Sequence, residues 1–207
     1  MRLRARPVVA LRRKRKAQMI EAFLTDALAL PPRKLRILDI GSGNGEIAAY
    51  FSEHNYCVGV DVSDQFHASV SHIPHCLGRS ESLPFRSGCF DIVISHHVIE
   101  HVDDHDLHLK EIRRVMKSCG VAYLGTPNLS SPLMRGHAGN PMVLRYREML
   151  PLFKKHGFSV DEYYTRWLHE PAKYYCETQF GRFVPASILH SLRRWYPSQC
   201  FLLKPAD

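Results

Sequence analysis

No run in this 207-residue chain approaches the ~18 consecutive apolar residues needed to cross a bilayer. The opening MRLRARPVVALRRKRK lacks the long apolar centre of a secretory signal. It is Arg-rich and acid-poor, as transit peptides are, yet it contains no serine. None of Cys57, Cys76, Cys89, Cys119, Cys176 and Cys200 forms a Cys-x-x-Cys pair, and several lie in apolar runs. That favours free thiols in a reducing, cytoplasmic setting over a disulfide scaffold. Internal repeats and low-complexity tracts are also missing, which excludes solenoid and fibrous architectures.

Acid is absent from residues 1–16, which hold eight Arg or Lys. Removing those eight from the 28 basic residues leaves 20 against 20 acidic ones, so the net charge of +8 belongs to the N-terminal segment alone. A neutral body argues against an extensive nucleic-acid surface. The basic arm could meet an anionic membrane, giving peripheral attachment, or an acidic partner, or lead as a solvated arm into the first helix.

What remains is ordinary globular material, 45% hydrophobic and 23% charged, with length for one domain. Strand-like and helix-like patterns alternate, the mark of an α/β fold. Residues 11–29 read as a helix whose Ile20, Phe23, Leu24, Ala27 and Leu28 share a face, stopped by Pro31-Pro32. RILDI (36–40), CVGVDV (57–62), HCLG (75–78), FDIVIS (90–95), VAYLGT (121–126), FSVDEYYT (158–165) and CFLLK (200–204) read as seven strands. Further helices are expected after the glycine loop, near 64–71, at 104–117, over MLPLFKKHGF, and at 186–195. In the 104–117 helix, Leu107, Ile112, Val115 and Met116 would form the apolar side, and Gly120 would end it.

In LDIGSGNG, Gly41, Gly43 and Gly45 follow a strand and open a helix, so backbone can approach a ligand at a helix N-terminus. Such a turn also serves merely to join strand to helix. Here the spacing is G-x-G-x-G, with Glu46 where dinucleotide binders have their third glycine. Asp61 ends the second strand 20 residues after Gly41, where a carboxylate suits a ribose diol. Its plain alternative is a turn residue.

ILDIGSGNG, VGVDVS, SESLPF, CFDIVISHHVIEHV and LHLKEIRRVMKSCGVAYLGTPN, in this order, resemble the class I S-adenosylmethionine-dependent methyltransferases, most like the type-11-like branch acting on small molecules and glycans. The resemblance implies a Rossmann-like, seven-stranded, mostly parallel, doubly wound sheet with helices on both faces and a C-terminal antiparallel strand. It implies one methyltransferase domain over 1–207, with 1–29 as basic arm and helix and 36–128 as cofactor-binding core. Segments 129–147 and 166–196 would cover the acceptor site. It also implies S-adenosylmethionine as cofactor, S-adenosylhomocysteine as product, and roles for matching positions. Asp39 and the loop of Gly41, Ser42, Gly43 and Gly45 would hold the methionine end, and Asp61 the ribose. Val62 and Leu83 would sandwich adenine, Ser80 and Glu81 would pass its edge, and Ser95 and His96 would lie beside the methionine moiety and the reacting methyl. Arg79 stands where the family usually has an acid, and a guanidinium cannot accept the adenine amine's hydrogen bond.

Residues 95–103, SHHVIEHVD, contain His97-x-x-Glu100-His101, which on a helix would read as an inverted zinc-protease motif. That reading needs a helix and a third ligand. The preceding strand instead puts His97 at a strand tip, so no metal is expected. Of thirteen histidines, His96 and His101 are the catalytic candidates: His96 facing the cofactor, His101 as general base, with His97 structural. The aromatic side chains of 166–196 suit sugar rings, aromatic acceptors or lipid-like tails, or simply pack as a lid, and TPNLSSPLMRGHAGNP resembles the loop of glycan-modifying methyltransferases, which implies a sugar or other small-molecule hydroxyl as acceptor. The alternatives are an RNA or protein methyltransferase, or a catalytically silent cofactor-binding partner subunit; the oligomeric state stays open.

Overall fold

The computed structural model describes residues 6–64, 66, 70–128, 144–160 and 198–206. Outside these lie half of the helix expected near 64–71, residues 129–143 of the first cover segment, 161–165 of the expected sixth strand, and all of 166–196 with its expected helix.

A long helix, α1 (Arg6–Leu28), precedes β1 (Arg36–Ile40), α2 (Glu46–Ser52), β2 (Tyr56–Asp61), β3 (His75–Leu77) and β4 (Phe90–His96). A single 3-10 turn (Ile99–His101) leads into α3 (His105–Val115), then β5 (Met116–Pro127), α4 (Tyr146–Lys155), β6 (Phe158–Val160) and β7 (Ser198–Pro205). The strands form one sheet in the order β3-β2-β1-β4-β5-β7-β6. β1 pairs in parallel with both β2 and β4, while β7 runs antiparallel to both neighbours, β5 and β6. This is the mostly parallel, Rossmann-like sheet the sequence predicts, with β7 as its reversed strand.

The two-residue period of β1 explains the layers. Leu38 and Ile40 join a core under α3 and α4, with Leu109, Ile112 and Phe153. Ile37 faces the other way, into a core with Ile20, Phe23 and Leu24 of α1 and Ala48 and Phe51 of α2. Burying such side chains contributes roughly 1.5–3 kcal/mol each, an upper estimate against a compact unfolded chain. Helix α3 starts where Asp104 Oδ1 accepts from the Leu107 N–H at 3.0 Å. A cap of this kind is worth about 1 kcal/mol.

Two local expectations shift. Leu107 is exposed, and the buried face of α3 carries His108, Leu109, Ile112 and Val115 instead. Met116 does not extend that helix: it begins β5, pairing with Phe90 across a register irregularity, and Gly120 lies within the strand. The tertiary pairing overrides a segment that reads locally as a helix end.

Strand order reverses between β1 and β4, because the chain steps from β1 outward to β3 and then returns to β1's other side. Ligands in open α/β sheets bind outside the strands' carboxyl ends at such a switch point. The glycine loop and the SHHVIEH segment both leave the sheet there.

Candidate active site

The loop after β1 folds back on β2 by backbone alone. Gly41 and Ser42 donate their N–H groups to Val60 O at 2.8 and 3.1 Å, and Gly45 N donates to Ser42 O at 2.8 Å. Gly41 and Gly45 have φ of +67° and +80°, a region costly for residues with a Cβ. A Cβ on Gly41 would also overlap the Val98 side chain, and one on Gly45 would lie 2.6 Å from the Phe66 ring. The loop is therefore shaped by what its residues lack.

Two carboxylates brace it. Asp39 is buried and its Oδ2 accepts from Ala48 N in α2 at 3.2 Å. Burial raises its pKa to about 7; the Ala48 bond opposes the shift and the nearby Asp61 charge adds to it. Asp61 Oδ2 accepts from Gly43 N at 2.8 Å, and its Oδ1 accepts from Ser63 N and Ser63 Oγ, both at 2.9 Å. Among the described residues, Ser42 Oγ is a buried polar atom without a hydrogen-bond partner. Native structures rarely leave such an atom unsatisfied unless a ligand or water completes it. A cradle that Cβ atoms would fill, an orphaned hydroxyl and two carboxylates fit a small polar ligand with cationic and hydroxyl groups.

At the tip of β4 successive side chains part. Ser95 turns toward α3, where its Oγ lies 3.2 Å from His108 Nε2. His96 turns to the α1 face: its Nδ1 lies 3.4 Å from Tyr123 Oη, and its Nε2 is buried and unpartnered. Burial, then the charges of His97 and Lys16, push the His96 pKa well below its usual value, so the ring is neutral. His97 has φ +58°, donates its N–H to Gly125 O at 2.8 Å, and holds Nδ1 2.7 Å from Glu100 Oε1. Glu100 is itself 3% exposed.

Residues 38–124 match the profile of a family described as "Methyltransferase domain". The chain is 33% identical over 95 residues to an uncharacterized methyltransferase, YcgJ, of Bacillus subtilis, covering 41% of this chain and 38% of that protein. It is 32% identical over 117 residues to a ubiquinone biosynthesis O-methyltransferase of Bartonella quintana, covering 52% and 47%. The alignments with these two relatives thus span less than half of their length. A crystal structure of an S-adenosylmethionine-dependent methyltransferase from Thermotoga maritima, described as a possible histamine N-methyltransferase, superposes with TM-score 0.56 at 25% identity, over 68% of this chain and 71% of that one. Over residues 38–124 this chain is thus similar to the S-adenosylmethionine-dependent methyltransferases.

The fold brings Asp39, Gly41, Ser42, Gly43, Gly45, Asp61 and Val62 to one stretch of the sheet edge, and Ser95 and His96 to the neighbouring strand tip. Val62 is 72% exposed, open to a ligand face. Leu83 is not its free counterpart: it is 5% exposed, with its side chain in the α3–α4 core. Its N–H donates to Glu111 Oε2 at 2.7 Å, and its carbonyl accepts from Arg114 Nη2 at 2.9 Å. Glu111 and Arg114 thus clamp the SESLPF loop, a structural pair the sequence reading passed over.

Arg79 points along the surface, paired with Asp103 and, at 3.1 Å, with Glu81 Oε1. Ser80 Oγ and Asp103 N also donate to Glu81, so both Glu81 oxygens already accept hydrogen bonds. The Arg79 substitution has a structural account, and it gives the silent-subunit alternative no support.

The helix needed by a zinc reading does not form, since His97 sits at the strand tip and His101 on the 3-10 turn. His101 is exposed, with no side-chain hydrogen bond among the described residues. The carboxylate that orients an imidazole belongs to His97, which the sequence reading had left as structural.

Proposed function

We propose that this chain transfers the methyl group of S-adenosylmethionine to a hydroxyl oxygen of a small-molecule or glycan acceptor. The observation that carries the reading is the glycine loop locked to Asp61 at the sheet's switch point. In this reading Asp39 and the Gly41–Gly45 loop hold the cofactor's methionine end, with Asp61 on the ribose hydroxyls. Val62 lies along adenine, and the backbone at Ser80 and Glu81 meets its edge. His96 flanks the reacting methyl as a neutral ring, so it does not repel a cationic sulfonium, and Ser95 positions the strand tip beneath it. When bound, the cofactor supplies an already activated methyl on a sulfonium.

The chain's own residues then have two tasks. They hold the acceptor in line behind the methyl, where correct orientation alone accounts for a large part of the rate. They also remove the acceptor's proton, a step worth typically 10²–10⁴-fold. The acceptor site falls to segments 129–147 and 166–196 together with the first helix. The ubiquinone-type O-methyltransferase among the relatives supports a small-molecule oxygen acceptor. Residues 1–16, with eight Arg or Lys and no acid, supply positive charge for an anionic membrane surface or an acidic partner.

Tritiated-methyl S-adenosylmethionine, offered with panels of phenols, glycans, RNA and protein, tests this. Label is expected in a hydroxyl-bearing small molecule or glycan. Label confined to RNA or protein, or located on carbon, would overturn the acceptor assignment.

A further inference from the structure

The residue that takes the acceptor's proton can be read from the hydrogen bonds at the tip of β4; this inference rests on the methyl-transfer reading above. An ionised carboxylate only accepts hydrogen bonds, so Glu100 Oε1, 2.7 Å away, fixes the proton of His97 on Nδ1. That leaves Nε2 carrying a lone pair. The ring is 31% exposed while Glu100 is 3% exposed, so its partnered edge is inside and its free edge reachable. Thr126 Oγ1 donates to Glu100 Oε2 at 3.3 Å and holds the carboxylate in turn.

The backbone reinforces this aim. His97 adopts φ +58°, pinned by its N–H bond to Gly125 O. A non-glycine residue held there costs free energy, and such residues cluster at functional sites. Gly125 also leaves room for the His96 ring, because a Cβ there would lie 2.5 Å from His96 Nδ1. The His96 and His97 rings meet edge to face, with centroids 4.5 Å apart. His97 Nε2 therefore opens beside the histidine read as flanking the methyl, whereas His101 lies on an exposed turn without a carboxylate.

We propose that His97, oriented by Glu100, is the general base of the reaction, in place of His101. As the acceptor oxygen forms its bond to the methyl carbon, the carbon–sulfur bond breaks and its electron pair stays on sulfur, turning sulfonium into thioether. The acceptor's O–H pair stays on oxygen, and its proton passes to His97 Nε2. Nδ1 keeps its hydrogen bond to Glu100 throughout, and the proton leaves through the exposed edge of the ring.

A brace for the turn would use the same hydrogen bond, so the test must separate the two. Nitrogen-15 spectra of histidine-labelled wild-type protein, assigned with His97→Gln, should show His97 protonated on Nδ1 and bare on Nε2. Turnover of catechol, as a phenolic probe, should fall about 100-fold or more in His97→Gln. In Glu100→Gln it should fall about 10-fold, with the His97 nitrogen shifts displaced. Both variants should keep S-adenosylhomocysteine affinity within about 2-fold, as read by calorimetry. An Nε2-protonated ring, full turnover by His97→Gln, or loss of turnover only in His101→Ala would overturn the assignment. So would a parallel collapse of cofactor affinity, the mark of a brace. If the wild-type protein binds no S-adenosylhomocysteine, the functional reading fails, and the spectra still judge the His97–Glu100 bond separately.

Discussion

The glycine loop and the tip of β4 share one edge of the sheet but are built by opposite means. The loop is backbone folded on backbone: Gly41, Ser42 and Gly45 bond to main-chain carbonyls, and Asp39 and Asp61 fasten main-chain N–H groups. The tip is side chain on side chain: Ser95 with His108, His97 with Glu100, Glu100 with Thr126. A backbone cradle needs small residues at fixed spacing, which one short motif can encode. A side-chain relay needs partners from β4, the turn, α3 and β5, and no local pattern announces it. The first arrangement suits a cofactor common to many proteins; the second suits chemistry specific to one acceptor.

Substitutions can break this contrast, the largest effects coming first. Asp39 has a folded-state pKa of about 7 against 3.8 unperturbed, so the ligand-free fold favours its protonated form. That preference is fully present below about pH 4 and is lost as pH rises toward 7. Asp39→Asn should therefore stabilise the ligand-free protein at pH 8, by on the order of 4 kcal/mol, and flatten this part of its pH dependence. Urea unfolding at pH 5 and pH 8 checks it, and cofactor binding should weaken in the same variant. Equal stability of both proteins at pH 8 would deny that the loop stores a buried charge.

At the tip the sign is reversed. His108 is buried and its pKa falls to about 4, chiefly through burial, so the fold excludes its proton. That stability is complete above pH 6.5 and is lost as pH falls toward 4, a change of roughly 3 kcal/mol. His108→Gln should unfold less steeply with acid over that window. An unchanged acid profile would mean that water reaches the Ser95–His108 pair.

Gly41→Ala tests the backbone cradle itself. Positive φ together with overlap on Val98 should cost about 2 kcal/mol and abolish cofactor binding. A stable variant with normal binding would show that the loop does not need to be bare. The smallest effect belongs to Arg79→Ala. Its ion pairs with Asp103 and Glu81 lie on the surface, where such pairs contribute about 0–1 kcal/mol, and cofactor affinity should stay within about 2-fold. A large loss of affinity would put the guanidinium at the adenine after all.

The same contrast explains what could be read without coordinates. Short, nearly continuous apolar runs in RILDI, CVGVDV and FDIVIS mark the central strands, because each is buried on both faces. The Gly41–Gly45 spacing and Asp61 were legible because their roles are local. Met116 was misread because its strand pairing with Phe90 is a tertiary event, and Leu107 because a stretch of mixed residues permits two neighbouring helix faces. The hold on the Leu83 loop by Glu111 and Arg114, 28 and 31 residues further on, with the Leu83 side chain in the core, has no local sequence signal. Of the two histidines near Glu100, His101 is the nearer in sequence, yet the hydrogen bond to the carboxylate is made by His97. A turn at positive φ turns the more distant one toward the carboxylate.

The central claim is that the loop and Asp61 together bind S-adenosylmethionine. Calorimetry with S-adenosylmethionine and S-adenosylhomocysteine, comparing wild type with Asp61→Ala, tests it most directly. The account predicts binding of both ligands by the wild-type protein and a loss of about 10–100-fold in the variant, the worth of one hydrogen bond to a charged group. No binding to the wild-type protein, or equal affinity in Asp61→Ala, would contradict it.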